Sequence, residues 1–192
     1  MKHETTSTDD SENRPGPRVL ELERTPLKVL EQIFIDGATP DLDKLAGWEF
    51  RGLNSPTWFK LIGIKKFIKG FYWRDEELFG YNCPVRQNGI KNPWIAKPDD
   101  DSPKRFGFYK VSPVDPTARD NTYLHALLLD YGKGGNKDGS RGLRDYLVQP
   151  DVDNDDLYLG KAYYAVGPAR IPTASFFILE RHREGLRDVA FR

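Results

Sequence analysis

Four side chains in or next to predicted strands could carry acid–base chemistry. They are His125, Asp130, Tyr131 and Lys161. A histidine titrates near neutral pH, and a carboxylate, a phenol or a buried amine on a rigid strand can donate or accept a proton. In a closed cavity, such groups would suit isomerisation, cyclisation or decarboxylation. The alternative for each is a structural group paired with a neighbour, and the sequence leaves that choice open.

The histidines and the cysteine form no metal-binding motif. His3, His125 and His182 are far apart in the sequence, and Cys83 is the only cysteine. No pair has the spacing of zinc or iron ligands, although His125 alone could still be an axial haem ligand. We therefore expect no metal and no cofactor, and we read Cys83 as a small buried side chain.

Aromatic side chains form a second group of candidates. Rings make good walls for a flat apolar ligand, and tyrosine hydroxyls can orient it. The candidate ligand-binding residues are Trp58, Phe71, Trp73, Tyr81, Phe108, Tyr123 and Tyr163. The alternative is that these rings only fill a core.

Short strands must position these side chains. After Gly47, runs rich in aromatic and β-branched residues alternate with clusters of Gly, Pro, Asn and Asp, which is typical of antiparallel strands. The predicted strands are 48–53, 64–73, 78–82, 105–112, 122–131, 143–149, 157–166 and 174–183. No helical pattern of about ten residues separates consecutive runs, which favours a sandwich or closed barrel over an α/β sheet. Several strands place a charged group among apolar ones, as a cavity dotted with polar groups would allow.

Two short helices are predicted before the strands. A Thr-Pro pair beginning at Thr25 starts the first, which ends near Gly37, because proline favours the first helical position and glycine the end. A second pair beginning at Thr39 starts another, which ends near Gly47. The apolar residues of the first recur at helical spacing, so one of its faces must dock on the rest of the protein.

These patterns divide the chain into three parts. Residues 1–18 are almost entirely polar, which predicts a disordered N-terminal tail without a secretory signal. Residues 19–46 form a helical cap, and residues 47–192 form the barrel domain. With no signal and a single thiol, a reducing cytoplasmic setting is expected.

Charge and length exclude some classes of function. The 192 residues include 29 basic and 29 acidic side chains, so the chain lacks the basic excess with which proteins neutralise phosphates. No window approaches the roughly 18 apolar residues of a membrane span. We expect neither nucleic-acid binding nor a membrane span. The oligomeric state stays open.

A tryptophan on the first strand and an arginine on the last resemble the lipocalin (calycin) barrel, in which such a pair packs at the closed end. Here Trp48 directly follows Gly47, whereas the family pattern has one residue between them, and Arg181 lies in the last strand. Further segments, in the same order, are similar to uncharacterised bacterial lipocalin-like families with a Trp-x-Gly type first strand: Lys69-Gly70-Phe71, Tyr81-Asn82-Cys83-Pro84-Val85, Leu129-Asp130-Tyr131, Leu143-Arg144-Asp145 and Leu157-Tyr158-Leu159-Gly160-Lys161. The resemblance implies a small barrel around a mainly apolar pocket and brings no family activity with it.

The pairing of Trp48 with Arg181 also has a physical reason. An indole covers the apolar end of a barrel, and a guanidinium stacked on it gains roughly 0.5–2 kcal/mol of cation–π attraction. We expect both residues to be structural.

The sequence therefore predicts a mainly β protein: a single antiparallel lipocalin-like barrel with one or two short N-terminal helices. Its expected function is to bind a small hydrophobic or aromatic molecule in the barrel interior. One alternative is a cavity enzyme with isomerase, cyclase or lyase chemistry. Another is a non-catalytic interaction subunit whose interior is filled by its own side chains.

Overall fold

The computed structural model describes residues 14–55 and 63–186. Within these ranges three helices precede eight strands: α1 (Pro17–Arg24), α2 (Leu27–Asp36), α3 (Leu42–Leu45), β1 (Trp48–Asn54), β2 (Lys66–Arg74), β3 (Glu77–Pro84), β4 (Phe106–Pro113), β5 (Leu127–Asp130), β6 (Leu143–Val148), β7 (Leu157–Val166) and β8 (Ala169–Glu184). Every strand pairs antiparallel with the next in sequence, and β8 pairs with β1 to close the barrel. The predicted mainly β, closed antiparallel barrel with short N-terminal helices is confirmed. Among the described residues, no helix is both long enough and apolar enough to cross a membrane.

The β7–β8 hairpin extends the last strand beyond its predicted start. β8 begins at Ala169, which pairs with Val166, whereas the sequence predicts a start at residue 174. The chain turns at Gly167, whose φ of 54° lies in the left-handed region that glycine adopts at little cost. A tight turn there lets both strands continue to the tip.

The fifth strand is shorter than predicted, and this corrects the position of His125. β5 begins only at Leu127, because β4 ends at Pro113, the partner of Leu127, and proline has no N–H to extend the ladder. The preceding residues form a turn in which the Ala126 N–H donates to the Tyr123 carbonyl at 3.1 Å. His125 therefore lies in a loop and not in a strand interior.

The helix α1 starts earlier than the sequence analysis expects, because residues 19–46 are predicted as a helical cap whose first helix starts at Thr25. It begins at Pro17, inside the range expected to be a tail, and buries Val19 and Leu22. The Gly16 N–H donates to the Glu180 carboxylate at 2.9 Å. The two buried apolar side chains and this contact with β8 fix the start of α1 in the part of the chain that was expected to be a tail. Residues 1–13 of the predicted tail lie outside the described residues.

Successive side chains of each strand point to opposite faces, so the barrel has an inner and an outer apolar set. The inner set takes residues from all eight strands and from α3: Leu45, Phe50, Phe71, Leu78, Tyr109, Val111, Leu127, Leu129, Tyr131, Leu147, Tyr158, Phe177 and Leu179. The outer set joins the other strand faces to α1, α2 and the segment after β3, and includes Leu22, Phe34, Ile68, Tyr72, Tyr81, Trp94, Tyr146, Leu159, Phe176 and Ile178. Both faces of many strands are therefore buried.

The helix α3 lies at the end of the barrel where β1 begins and β8 ends. Its Leu45 is fully buried and belongs to the inner set. The guanidinium carbon of Arg181 lies 4.4 Å from the Trp48 ring centroid, and Arg181 also donates to the Lys44 carbonyl of α3 at 3.0 Å. That this pair is structural stays a prediction, but its position suits closing this end.

Candidate ligand-binding site inside the barrel

An ion pair crosses the interior of the barrel. Lys69 of β2 and Asp145 of β6 come from strands four apart in the ring of eight, which places them on opposite walls. Nζ of Lys69 lies 3.0 Å from Oδ2 of Asp145, and each side chain is 3% exposed. A lone buried charge is costly, so each residue depends on the other.

Two further polar side chains complete this cluster. The Lys69 ammonium donates to the Tyr131 hydroxyl, which itself donates to Oδ2 of Asp145 at 3.1 Å. The Asn82 amide donates to the same hydroxyl at 3.2 Å and to the Gly107 carbonyl at 2.9 Å. Lys69, Asn82, Tyr131 and Asp145 therefore form one hydrogen-bonded group, which we call the polar cluster.

Aromatic rings surround the ammonium of the polar cluster. Nζ of Lys69 lies 4.5 Å from the ring centroid of Tyr109, 5.3 Å from that of Phe177 and 5.9 Å from that of Phe67. Ring faces attract cations, most strongly where water is absent. They offset part of the cost of burying this charge.

Glycines on neighbouring strands make room for these rings. A Cβ atom on Gly80 would lie 2.2 Å from the Tyr109 ring, and one on Gly160 would lie 2.0 Å from the Phe177 ring. A Cβ atom on Gly52 would lie 2.2 Å from the Phe67 ring. These three rings lie flat over backbone, which lets large side chains share a narrow interior.

Burial shifts the pKa of two members of the polar cluster, Lys69 and Tyr131. It lowers the pKa of Lys69 below its ordinary value, and Asp145 partly opposes that shift. Burial also raises the pKa of Tyr131 and Tyr109 well above that of a free phenol. Both phenols are therefore neutral at physiological pH, and a charged Lys69–Asp145 pair sums to zero.

A cavity of about 210 Å³ adjoins the polar cluster at the end of the barrel opposite α3. All four members of the cluster line it. Its apolar lining comes from Ile64, Phe67, Phe106, Leu143, Ala162 and Phe177. Such a space, apolar with a few convergent polar groups, is the ordinary form of a small-molecule site.

The polar cluster keeps hydrogen-bonding capacity for a ligand. An ammonium has three N–H groups, and among the described residues two acceptors, Tyr131 and Asp145, bond to that of Lys69. The third can serve an oxygen atom of a molecule in the cavity.

Three of the candidate residues from the sequence belong to the barrel interior. Tyr131 is in the polar cluster, and Phe71 is fully buried in the inner set with its ring 5.8 Å from that of Tyr109. Trp73 packs against the same set. Phe71 and Trp73 lie toward α3 and are not part of the cavity lining.

Four aromatic candidates lie on the outer face instead. They are Tyr81, Phe108, Tyr123 and Tyr163, each in or against the outer set. The Tyr81 hydroxyl donates to Glu49 at 2.8 Å, and that of Tyr163 donates to Asp120 at 2.5 Å. Their ligand-binding role would need a separate site outside the barrel, where Tyr123 and Tyr163 line a cavity of about 240 Å³.

Lys161 also faces outward. Its Nζ lies 2.6 Å from Oε2 of Glu31 in α2, and the Tyr123 hydroxyl donates to Oε1 of the same carboxylate at 2.8 Å. The pKa of Lys161 is raised: burial lowers it, but the bonds to Glu31 and Tyr123 outweigh that effect. This group ties α2 to the barrel wall.

The other two acid–base candidates also have structural partners, a backbone carbonyl for His125 and both a backbone N–H and a side chain for Asp130. Nε2 of His125 lies 3.1 Å from the Phe34 carbonyl. Asp130 accepts from the Gly132 N–H at 2.8 Å and pairs with Arg144 at 3.0 Å. Trp58 lies outside the described residues.

The sequence analysis missed Lys69, Asn82 and Asp145 as site residues. A signal was present: Lys69 alternates with Phe67 and Phe71, and Asp145 alternates with two leucines. Two opposite charges, each at an inward position of an apolar strand face, indicate a buried pair. Which two strands would bring them together depends on the barrel register.

Comparison with known proteins adds no family. No protein-family model matches the chain, and no curated protein matches it either. Within the described residues, no group of three or more His, Cys, Asp or Glu side chains could hold a metal ion.

Proposed function

We propose that this protein binds a small, uncharged aromatic molecule carrying a carbonyl or hydroxyl oxygen, in the cavity beside the polar cluster. The observation that carries the proposal is the buried Lys69–Asp145 pair at a cavity walled by Phe67 and Phe177. The resemblance to lipocalin-like barrels agrees with a binding role, and membership of that family is part of the proposal.

The size of the cavity favours a single ring. A cavity of roughly 150 Å³ lined by apolar side chains holds benzene. The space of about 210 Å³ here therefore suits one ring with a small substituent. Edge-on and offset contacts with Phe67 and Phe177 would stabilise that ring.

The charge of the polar cluster favours an uncharged ligand. Lys69 and Asp145 neutralise each other, so a charged ligand would leave one uncompensated charge beside these buried side chains. A carbonyl or hydroxyl oxygen can instead accept the remaining N–H of Lys69 at little electrostatic cost. The cavity also favours binding over a non-catalytic interaction subunit, whose interior would be filled.

Calorimetric titration of the full chain tests this proposal. Benzyl alcohol is the neutral probe, and benzoate and benzylamine are charged probes of the same size. We expect saturable binding of benzyl alcohol with a Kd of about 1 mM or tighter, and at least roughly tenfold weaker binding of both charged probes.

Two tryptophan variants locate the bound probe. Leu143→Trp fills the cavity and should abolish binding. Leu124→Trp is the matched control, because Leu124 is 59% exposed and is not among the cavity-lining residues, and it should bind as the unmodified protein does. Absence of saturable benzyl alcohol binding, or equal binding by both variants, would overturn the proposal.

A further inference from the structure

Lys69 combines two properties that are seldom found in one side chain. It is part of the lining of a cavity, and its amine contacts two groups that can carry protons, the Asp145 carboxylate at 3.0 Å and the Tyr131 hydroxyl. A lysine amine is a nucleophile once it has lost its proton. A carbonyl carbon in the cavity would lie beside that amine.

We propose that Lys69 forms a Schiff base with an aromatic aldehyde bound in this cavity. This inference rests on the proposed function and narrows its ligand class from oxygen-bearing aromatic molecules to those with a reactive aldehyde.

The reaction balances with the groups present. Asp145 takes a proton from the Lys69 ammonium, and the neutral Nζ attacks the aldehyde carbon to form a C–N bond. The carbonyl oxygen receives that proton and a second one from Nζ, with Tyr131 as the relay, and leaves as water. The product is a protonated imine, so an ammonium and an aldehyde give an iminium and one water molecule.

The surroundings of Lys69 suit both the reactant and the product. Burial lowers the pKa of the amine, which increases the fraction in the nucleophilic form. The iminium keeps the positive charge, so its pairing with Asp145 and its contacts with the rings of Tyr109 and Phe177 persist. The buried charge is balanced before and after the reaction.

A second buried lysine provides an internal control. Lys66 is 1% exposed and burial lowers its pKa to about 8, but it points away from the interior. Its Nζ donates to four oxygens, those of the Asn88 side chain and of the Gly89, Asn92 and Pro93 carbonyls. With no free N–H and no place in the cavity lining, it should not react.

Reductive trapping of the full chain tests the Schiff base. The protein is incubated with benzaldehyde and cyanoborohydride, and peptide mass spectrometry locates the benzyl groups. We expect one benzyl group at Lys69, at least roughly tenfold above the incorporation at Lys66 or at the exposed Lys91, because the cavity raises the local concentration of the aldehyde. Excess benzyl alcohol should suppress labelling at Lys69 and leave that at Lys91 unchanged.

The outcomes separate this inference from the proposed function. If benzyl alcohol binds but Lys69 is labelled no more than Lys91, the Schiff base is overturned and the binding function stands. If benzyl alcohol fails to bind, the binding function is overturned, and the Schiff base that rests on it is overturned with it. Lys69→Arg should remove the benzyl group found at residue 69. If that variant does not fold, the competition experiment still tests the inference, because it uses the unmodified protein.

Discussion

Nζ of Lys69 lies 3.0 Å from Oδ2 of Asp145, and the two residues face each other across the barrel from β2 and β6. The pair thus links opposite walls. On its α3 side the interior is packed with apolar side chains, and on the other side lies the cavity. The same ion pair can serve stability and ligand binding, and the first role can be measured without knowing the ligand.

Removing one partner of this pair should destabilise the protein more than removing both. We expect Asp145→Asn to lower the free energy of unfolding by about 3–5 kcal/mol, because it leaves the Lys69 charge buried and uncompensated. The double variant Lys69→Met/Asp145→Leu should lose much less of its free energy of unfolding. Urea denaturation of the single and double variants measures the coupling, and additive losses would show that the pair is not coupled.

Lys66 should stabilise the segment after β3. Its ammonium donates to the oxygens of Asn88, Gly89, Asn92 and Pro93 and lies 4.0 Å from the Trp94 ring centroid. Lys66→Met leaves these acceptors without their donor, and we expect a loss of about 2–4 kcal/mol in a denaturant melt. Lys91→Met, at an exposed position of the same segment, should be nearly neutral. Equal effects of the two substitutions would contradict this role.

His182 should make stability fall in mild acid. Burial, and then the charges of Arg183 and Arg51, lower its pKa from 6.5 to about 4 in the folded protein. Between these two values the unfolded chain binds a proton that the folded protein does not, so the free energy of unfolding decreases as the pH falls from 6.5 to 4. Carboxylates titrate at the lower end of this range, so the comparison with His182→Gln isolates the histidine. In the variant, the free energy of unfolding should fall less steeply with decreasing pH, which urea melts across this range would reveal. Equal slopes for the variant and the unmodified protein would contradict this role of His182.

Gly160 should tolerate no side chain while Phe177 covers it. A Cβ atom there would lie 2.0 Å from the Phe177 ring, so Gly160→Ala must push that ring toward the cavity. We expect overpacking to lower the free energy of unfolding by about 1–3 kcal/mol. Benzyl alcohol should also bind more weakly. In the Phe177→Leu background the same substitution should cost less. Gly139→Ala is the control, since its Cβ would meet only the Tyr164 hydroxyl at an ordinary 3.5 Å.

Much of the fold could be predicted because strands are encoded locally. β7 has the predicted bounds, and most other strands differ from prediction by only a few residues, because alternating side chains and turn residues are local features. β5 and β8 differ most, each by five residues at its start: the start of β5 depends on where β4 ends, and that of β8 on the tight turn at Gly167. The early start of α1 was missed because it is held by a contact with β8, which is distant in sequence.

The candidate site was less predictable than the fold. Tyr81 lies in a strand, as the inward-facing aromatic residues do, yet it packs on the outer face, and Tyr123 packs there from the turn before β5. The helices α1 and α2 and the segment after β3 cover the outer face, so both faces of the strands are apolar. The alternation of side chains therefore does not distinguish the inner face from the outer one.

The sequence by itself determined the strands, their antiparallel order and the presence of charges among apolar residues, because these follow from side-chain alternation and turn residues along the chain. Only the tertiary structure decided that Lys69 meets Asp145, that Lys161 meets Glu31, and which aromatic rings face the interior. Closure of the ring and the register of each strand pair determine these contacts, and both depend on residues far apart in the chain.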